Sequence, residues 1–188
     1  MTDFKQEHPQ GISVSMDEMS LYLQATTRRV WYPVGQRPII RVSPQRDCQH
    51  WYGALCLESG QEVALSLPGL DSQTTLHFLS HLLTVFPTQP ILLFLDRATW
   101  HRGEAIRAFL TQHPRLEFIY FPPACPQLNP QEHVWKAARQ AVSHNHTFLE
   151  LGSLRRAFAQ FLDSTLFHFH WLEKFTPLHI GGVSLVSP

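Results

Sequence analysis

The stretch "PILLFLDRATWH", residues 90–101, decides how this chain folds. Residues 91–95 are all apolar and show no alternation with polar residues. Such an unbroken run is typical of a strand that is buried on both faces, as at the centre of a parallel sheet. Asp96 follows directly, and in open α/β sheets the functional crevice lies beyond the carboxyl ends of the strands. The stretch therefore predicts a central strand with an acidic side chain at its functional end.

The chain before this strand predicts an antiparallel meander. Residues 11–24 begin by alternating apolar with polar side chains, which is the period of a half-buried strand. Two further strands are predicted within residues 29–42, which two prolines and a glycine interrupt, and within residues 50–58. Together these three strands would form one antiparallel unit.

Apolar residues recur at helical spacing over residues 71–86 and predict a helix there, which Asp71 or Ser72 could cap. Further helices are predicted over residues 102–113, 130–144 and 151–165, and a short strand over residues 116–121. A meander followed by alternating helices and strands predicts an α/β fold. Its sheet would be mixed, an antiparallel meander plus parallel strands, with helices on both faces.

The 188 residues are enough for one compact domain. We expect an N-terminal extension over residues 1–10, the domain over residues 11–175, and a loose C-terminal tail over residues 176–188, which lack periodicity. No apolar run reaches the length of a membrane span and the polar start is no secretory signal, so a cytoplasmic protein is expected.

The cysteines and histidines argue against several kinds of site. Three cysteines lie far apart without a C-x-x-C pair, which argues against a disulfide framework and a zinc finger. The twelve histidines are scattered, whereas a metal site needs converging ligands. The net charge is zero, yet residues 28–46 hold five arginines and no acid. This basic segment fits either a solvated hairpin face or a contact with phosphates.

Three acids have positions that suggest chemistry: Asp17 on the first strand, Asp96 at the end of the central strand, and Glu132 at the start of a helix. Two carboxylates about 4 Å apart repel by roughly 4 kcal/mol at an effective dielectric constant near 20, so an ionised cluster persists only around cations. Ligation by oxygen alone suits Mg²⁺ or Mn²⁺. A pair of such ions can promote in-line attack on a phosphodiester.

Each acid also has a structural interpretation. Glu132 follows Asn129-Pro130-Gln131, an order close to a capping box, and it could pair with Lys136 one helical turn later. Asp96 could turn the chain into the next helix, and Asp17 could lie on the surface. Spacing alone leaves both interpretations open.

The motifs "FLDRATWH" (94–101) and "FPPACPQLNPQEHVW" (121–135) resemble the catalytic core of DDE transposases from bacterial insertion sequences, of the mariner-like insertion sequence 630 type. "SMDEMSLYL" (15–23) and "RRVWYPVGQRP" (28–38) resemble the first-strand and arginine-tryptophan segments of the same family. The likeness extends from about residue 12 to residue 145. It implies a ribonuclease-H-like fold.

The resemblance also implies a function: a DDE-type endonuclease that cleaves DNA phosphodiesters at element ends and transfers the freed 3′-hydroxyl to target DNA. The catalytic and metal-binding triad would hold two Mg²⁺ or Mn²⁺ ions, with three matching residues as supports. The basic segment would contact DNA phosphates. The implied residues are Asp17, Asp96 and Glu132 in the triad, His101, Asn129 and Trp135 as supports, and Arg28, Arg29, Arg37 and Arg41 at the phosphates.

Two departures from the family pattern support an alternative, a catalytically inactive transposase remnant that acts as a binding module. Arg97 stands where the family usually has asparagine, and it could pair with Asp96. Relatives carry a helix-turn-helix region upstream, so recognition of element ends is expected from a separate polypeptide of a split reading frame. A homodimer is a further candidate partner, and another nuclease of the same fold is a third interpretation.

Overall fold

The structure is a computed structural model that describes residues 2–24, 33–36, 39, 46–123 and 125–169. Within these ranges five strands form one sheet in the order β3-β2-β1-β4-β5. The strands are β1 (Ile12–Tyr22), β2 (Cys48–Cys56), β3 (Glu62–Leu67), β4 (Ile91–Leu95) and β5 (Leu116–Tyr120). β1, β2 and β3 pair antiparallel, whereas β1, β4 and β5 pair parallel. The predicted mixed sheet is confirmed, and β4 lies between two parallel neighbours, as its unbroken apolar run indicated.

The helices are α1 (Thr2–Glu7), α2 (Ser72–Val85), α3 (Glu104–Gln112), α4 (Pro130–Ala138) and α5 (Leu151–Ser164). α4 continues into one π-helical turn over Arg139–Ser143. Asp71 caps α2, with its side chain accepting from the backbone N–H of Thr74. None of the helices in these ranges has both the length and the apolar surface that crossing a bilayer requires.

Each face of the sheet has its own hydrophobic core. Val14 and Met16 of β1 pack with α2 and α3 on one face. Met19 and Leu21 of the same strand pack with α4 and α5 on the other. Since successive strand residues point to opposite faces, the two cores give the predicted arrangement of helices on both sides.

One described part of the meander, β3, differs from the prediction. β3 was not predicted, although Val63, Leu65 and Leu67 alternate with polar or small residues in its sequence "EVALSL". The stretch has only six residues, and its pairing with β2 identifies it as a strand. The strand predicted within residues 29–42 lies largely outside the described residues, as does the predicted tail over residues 176–188. Residues 2–7 of the predicted extension form α1, whose Phe4 is buried.

Candidate active site

Strand β1 separates its two adjacent acids onto opposite faces of the sheet. Asp17 lies opposite Gly53 of β2, on the face that α4 covers. Glu18 points to the other face, where it contacts His101 at the end of the turn after β4. The alternation of a strand therefore gives the Asp-Glu pair two different environments.

His101 joins Glu18 to Asp96. Its Nε2 lies 2.7 Å from Glu18 Oε1, and its Nδ1 lies 2.9 Å from Asp96 Oδ1. Burial by itself would lower the pKa of His101, but the hydrogen bonds and charges of Asp96 and Glu18 raise it to about 9. An imidazolium, which donates from both nitrogens, is the form that fits two carboxylates. The predicted support His101 thus holds Asp96, and Glu18 supplies a buried countercharge.

Asp96 follows β4 at the carboxyl end of the sheet, as predicted, and its side chain is 55% exposed. Among the described residues, His101 and the backbone N–H of Ala98 both donate to its Oδ1. The hydrogen bond from His101 is the main cause that lowers the pKa of Asp96. This carboxylate is therefore ionised at neutral pH, and its Oδ2 is the oxygen that it can offer to a cation.

Asn129 fixes where α4 begins. Its Oδ1 accepts from the Ser15 hydroxyl (2.7 Å) and from the backbone N–H of Gln131 (3.1 Å), and its Nδ2 donates to the Met16 carbonyl (3.2 Å). Pro130 occupies the first helical position, where a missing N–H costs nothing. The asparagine thus caps α4 and also ties it to β1 at Ser15 and Met16, the two residues before Asp17.

Glu132 is exposed in the first turn of α4. The capping box predicted for it is not formed: the Asn129 side chain caps Gln131, and within the described residues the Glu132 carboxylate makes no hydrogen bond back to the cap. The ion pair predicted with Lys136 is likewise not among the salt bridges of the described residues. Its carboxylate remains available at the face where Asp17 lies.

The charges of the other two acids of the predicted triad act on Asp17. Burial raises the pKa of Asp17 well above its usual value, and the charges of Glu132, Glu18 and Asp96 raise it further. Both other members of the predicted triad are therefore close enough for their charges to act on Asp17. Three carboxylates would offer only oxygen ligands and excess negative charge, which is the kind of site that Mg²⁺ or Mn²⁺ prefers. Even so, no three acidic, histidine or cysteine side chains in the described ranges form a ready coordination group.

Arg97 does not form the ion pair with Asp96 that the sequence suggested, among the described residues. Its Nε donates to the carbonyl of Phe121 at 3.2 Å, across the start of the proline-rich turn. The ion partner of Asp96 among the described residues is His101 and not Arg97.

Trp135, the third predicted support, is buried one turn after Glu132 and stacks against Phe158 of α5. It packs in the core between the sheet and α5, so it contacts neither solvent nor the exposed carboxylates. Close to it, Gln131 Nε2 donates to Glu62 Oε1 of β3 at 2.6 Å.

A cavity of about 270 Å³ opens beside Glu132. Lys136 and Arg139 line it together with two histidines, so positive charge lies directly beside the candidate catalytic acid. The four arginines predicted to contact phosphates, Arg28, Arg29, Arg37 and Arg41, lie outside the described residues.

Two parts of the site were not predicted. Glu18 could have been found, because it neighbours Asp17 on a strand and alternation sends it to the opposite face. The contact between Glu62 and Gln131 had no local signal, since 69 positions separate the two residues.

Comparisons with known proteins show the family of the chain. The family model described as DDE superfamily endonuclease matches residues 13–155. The chain is 24% identical over 152 residues to an insertion element IS630 uncharacterized 39 kDa protein of Shigella sonnei, covering 79% of this chain and 43% of that protein. It is 30% identical over 98 residues to the uncharacterized protein y4pE/y4sA of Sinorhizobium fredii, covering 52% of this chain and 70% of that protein. The chain thus spans less than half of the first relative.

Solved structures show the same ribonuclease-H-like fold. The Mos1 transposase paired-end complex with left transposon end has a TM-score of 0.63 at 15% identity, covering 87% of this chain and 51% of that chain. The catalytic domain of Mos1 mariner transposase has a TM-score of 0.58 at 13% identity, covering 87% of this chain and 76% of that chain. Since the family model matches residues 13–155, which is most of the sequence, this chain belongs to the DDE superfamily endonuclease family.

Proposed function

We propose that this chain is the catalytic domain of a transposase, which cleaves DNA phosphodiesters with divalent metal ions and then joins the freed 3′-hydroxyl to target DNA. One observation carries the proposal: the charges of residues 96 and 132, which are distant along the chain, both act on the buried carboxyl of Asp17. Like charges gathered at one place destabilise a fold unless a cation offsets them. Mos1 complexes crystallised with Mn and with Mg support the choice of ions.

In this proposal each acid has a distinct role. Asp17, which the charges of the other two reach, would contribute to both ion sites, with Asp96 and Glu132 completing one each. Bound ions would activate a water or a 3′-hydroxyl and stabilise the leaving oxygen. The exposed carboxylates of Asp96 and Glu132 would turn toward Asp17 to complete the ligand set. His101 orients Asp96, and Asn129 fixes the helix that carries Glu132.

DNA is the proposed substrate and partner. The cavity beside Glu132 brings Lys136 and Arg139 next to the acids, and cations at this place would hold a phosphodiester backbone despite the zero net charge of the whole chain. The basic segment over residues 28–46 is the second proposed phosphate contact. An upstream helix-turn-helix polypeptide and a homodimer stay predictions, which co-purification and light scattering would test.

Nicking of supercoiled plasmid tests the proposed function. We expect Mg²⁺ or Mn²⁺ to support nicking and EDTA to abolish it. The variant Asp96→Asn should be slower by about 100-fold or more, because one ion loses an anionic ligand while the fold is preserved. Asp163→Asn, on the exposed side of α5, is the matched control and should nick like the wild type.

The alternative, an inactive remnant that serves as a binding module, makes a different prediction. Calorimetric titration with Mn²⁺ should give binding heat for the wild type and less for Asp96→Asn if the acids hold metal. A wild-type protein that binds DNA but gives no Mn²⁺ heat and no nicking would establish the remnant. Equal nicking by wild type and Asp96→Asn would refute the assignment of the site.

A further inference from the structure

A buried carboxyl-amide pair connects the edge strand β3 to the start of α4. Glu62 is the first residue of β3, and Gln131 is the second residue of α4. Glu62 is 7% exposed and Gln131 is fully buried. The 2.6 Å hydrogen bond from Gln131 Nε2 to Glu62 Oε1 crosses strand β2 above Gly53, which leaves the space that this pair fills.

The carboxyl of Glu62 is buried, yet no basic side chain in the described ranges forms an ion pair with it. Its Oε2 and the Oε1 of Gln131 are both buried without a hydrogen-bond partner among the described residues. A proton on Glu62 would let Oε2 donate, and the orphaned amide oxygen of Gln131 is the acceptor that such a donor needs. Burial raises the pKa of Glu62 well above its usual value, against hydrogen bonds from Gln131 and the Ala54 backbone. The protonated acid therefore fits this place.

Gln131 is the residue directly before Glu132, and it is held at two points. Its backbone N–H bonds the Asn129 cap, and its side chain bonds Glu62. The Glu132 carboxylate has no hydrogen bond of its own among the described residues, so the direction in which it leaves the helix depends on its neighbours. A held first turn is what a metal ligand requires for a fixed position.

We propose that Glu62 is a positioning residue that acts through Gln131 to fix Glu132 for metal binding. Glu62 itself touches neither metal nor DNA. The inference rests on the proposed function, because it assumes that Glu132 is a ligand.

Substitutions at Glu62 separate positioning from packing. Glu62→Met keeps approximate volume but removes the hydrogen bond, and it should weaken Mn²⁺ binding by about 10-fold or more and slow nicking in parallel. Glu62→Gln can still accept from Gln131 and can donate back to it, so it should stay within about threefold of wild type. Val63→Ala is the matched control, since it removes packing from the same strand on the opposite face. It should lose stability but keep wild-type Mn²⁺ affinity while folded.

Gln131→Met removes the same hydrogen bond from the α4 side. It keeps the inference testable if Glu62→Met does not fold. It should weaken Mn²⁺ binding to a similar degree, and the double variant should be no worse than the single ones, because both remove one interaction. Wild-type Mn²⁺ affinity in either folded methionine variant overturns the inference. Absence of Mn²⁺ binding by the wild-type protein overturns the proposed function instead.

Discussion

Asp17→Asn is expected to abolish nicking and, at the same time, to stabilise the metal-free protein. Catalysis should fall by about 1,000-fold or more, a larger loss than for Asp96→Asn, because Asp17 is the acid on which both other members of the triad act. Without metal, the same position is unfavourable for a charge: burial and the charges of Glu132, Glu18 and Asp96 all oppose ionisation. A neutral amide of the same shape removes that cost. We expect the free energy of unfolding to rise by about 1 kcal/mol.

Urea unfolding in EDTA measures this gain, and the plasmid assay in Mg²⁺ measures the loss of activity. Adding Mn²⁺ should stabilise the wild type and reverse the order of the two proteins, since a ligand that binds only the folded state stabilises it. Asp163→Asn, an exposed acid of α5, should change neither quantity. If Asp17→Asn lowers the metal-free stability, then repulsion among the acids is not the dominant effect at this position.

Gly53→Ala is expected to destabilise the protein, against the usual direction for a glycine within a strand. A methyl group there would lie 2.5 Å from Glu62 Oε1 and would also overlap Gln131 Nε2 and Trp135 Cη2. Replacing glycine in a regular element ordinarily favours folding by roughly 0.5–1 kcal/mol. Overpacking in a core costs typically about 1–3 kcal/mol. We expect a net loss of about 2 kcal/mol, which lowers the unfolding midpoint by about 4–8 °C.

Gly152→Ala is the control with the opposite sign. Gly152 lies in α5, and the nearest atom to an added methyl group is Arg156 Nη1 at 3.7 Å, an ordinary contact. It should raise stability by up to about 1 kcal/mol in the same thermal unfolding experiment. Gly53→Val should be worse than Gly53→Ala, because the two additional methyl groups have no space. A stable Gly53→Ala protein would mean that α4 can move away from the sheet at little cost.

The spacing of apolar residues along the sequence predicted most of the architecture. Five consecutive apolar residues identified β4 within its observed limits, and alternation identified β1. Helical spacing gave α2 with its Asp71 cap. The starting point of α4 followed from the rules for Asn and Pro at a helix N-terminus, although the cap binds Gln131 where a capping box would bind Glu132. These features depend on neighbours within a few positions, which is the range over which periodicity and capping act.

The sequence by itself therefore determined the strand at the centre, the acid that ends it, and the residue at which the helix of Glu132 starts. Tertiary structure alone decided which side chains meet there: that His101 takes Asp96 and Glu18 as partners, that Arg97 binds the Phe121 carbonyl, and that Glu62 reaches Gln131. The physical reason is that such contacts depend on sheet register and on the docking of α4 over a strand with no side chain at Gly53. Packing over the whole domain sets both the register and the docking of α4. Neither can therefore be predicted from a local stretch of sequence.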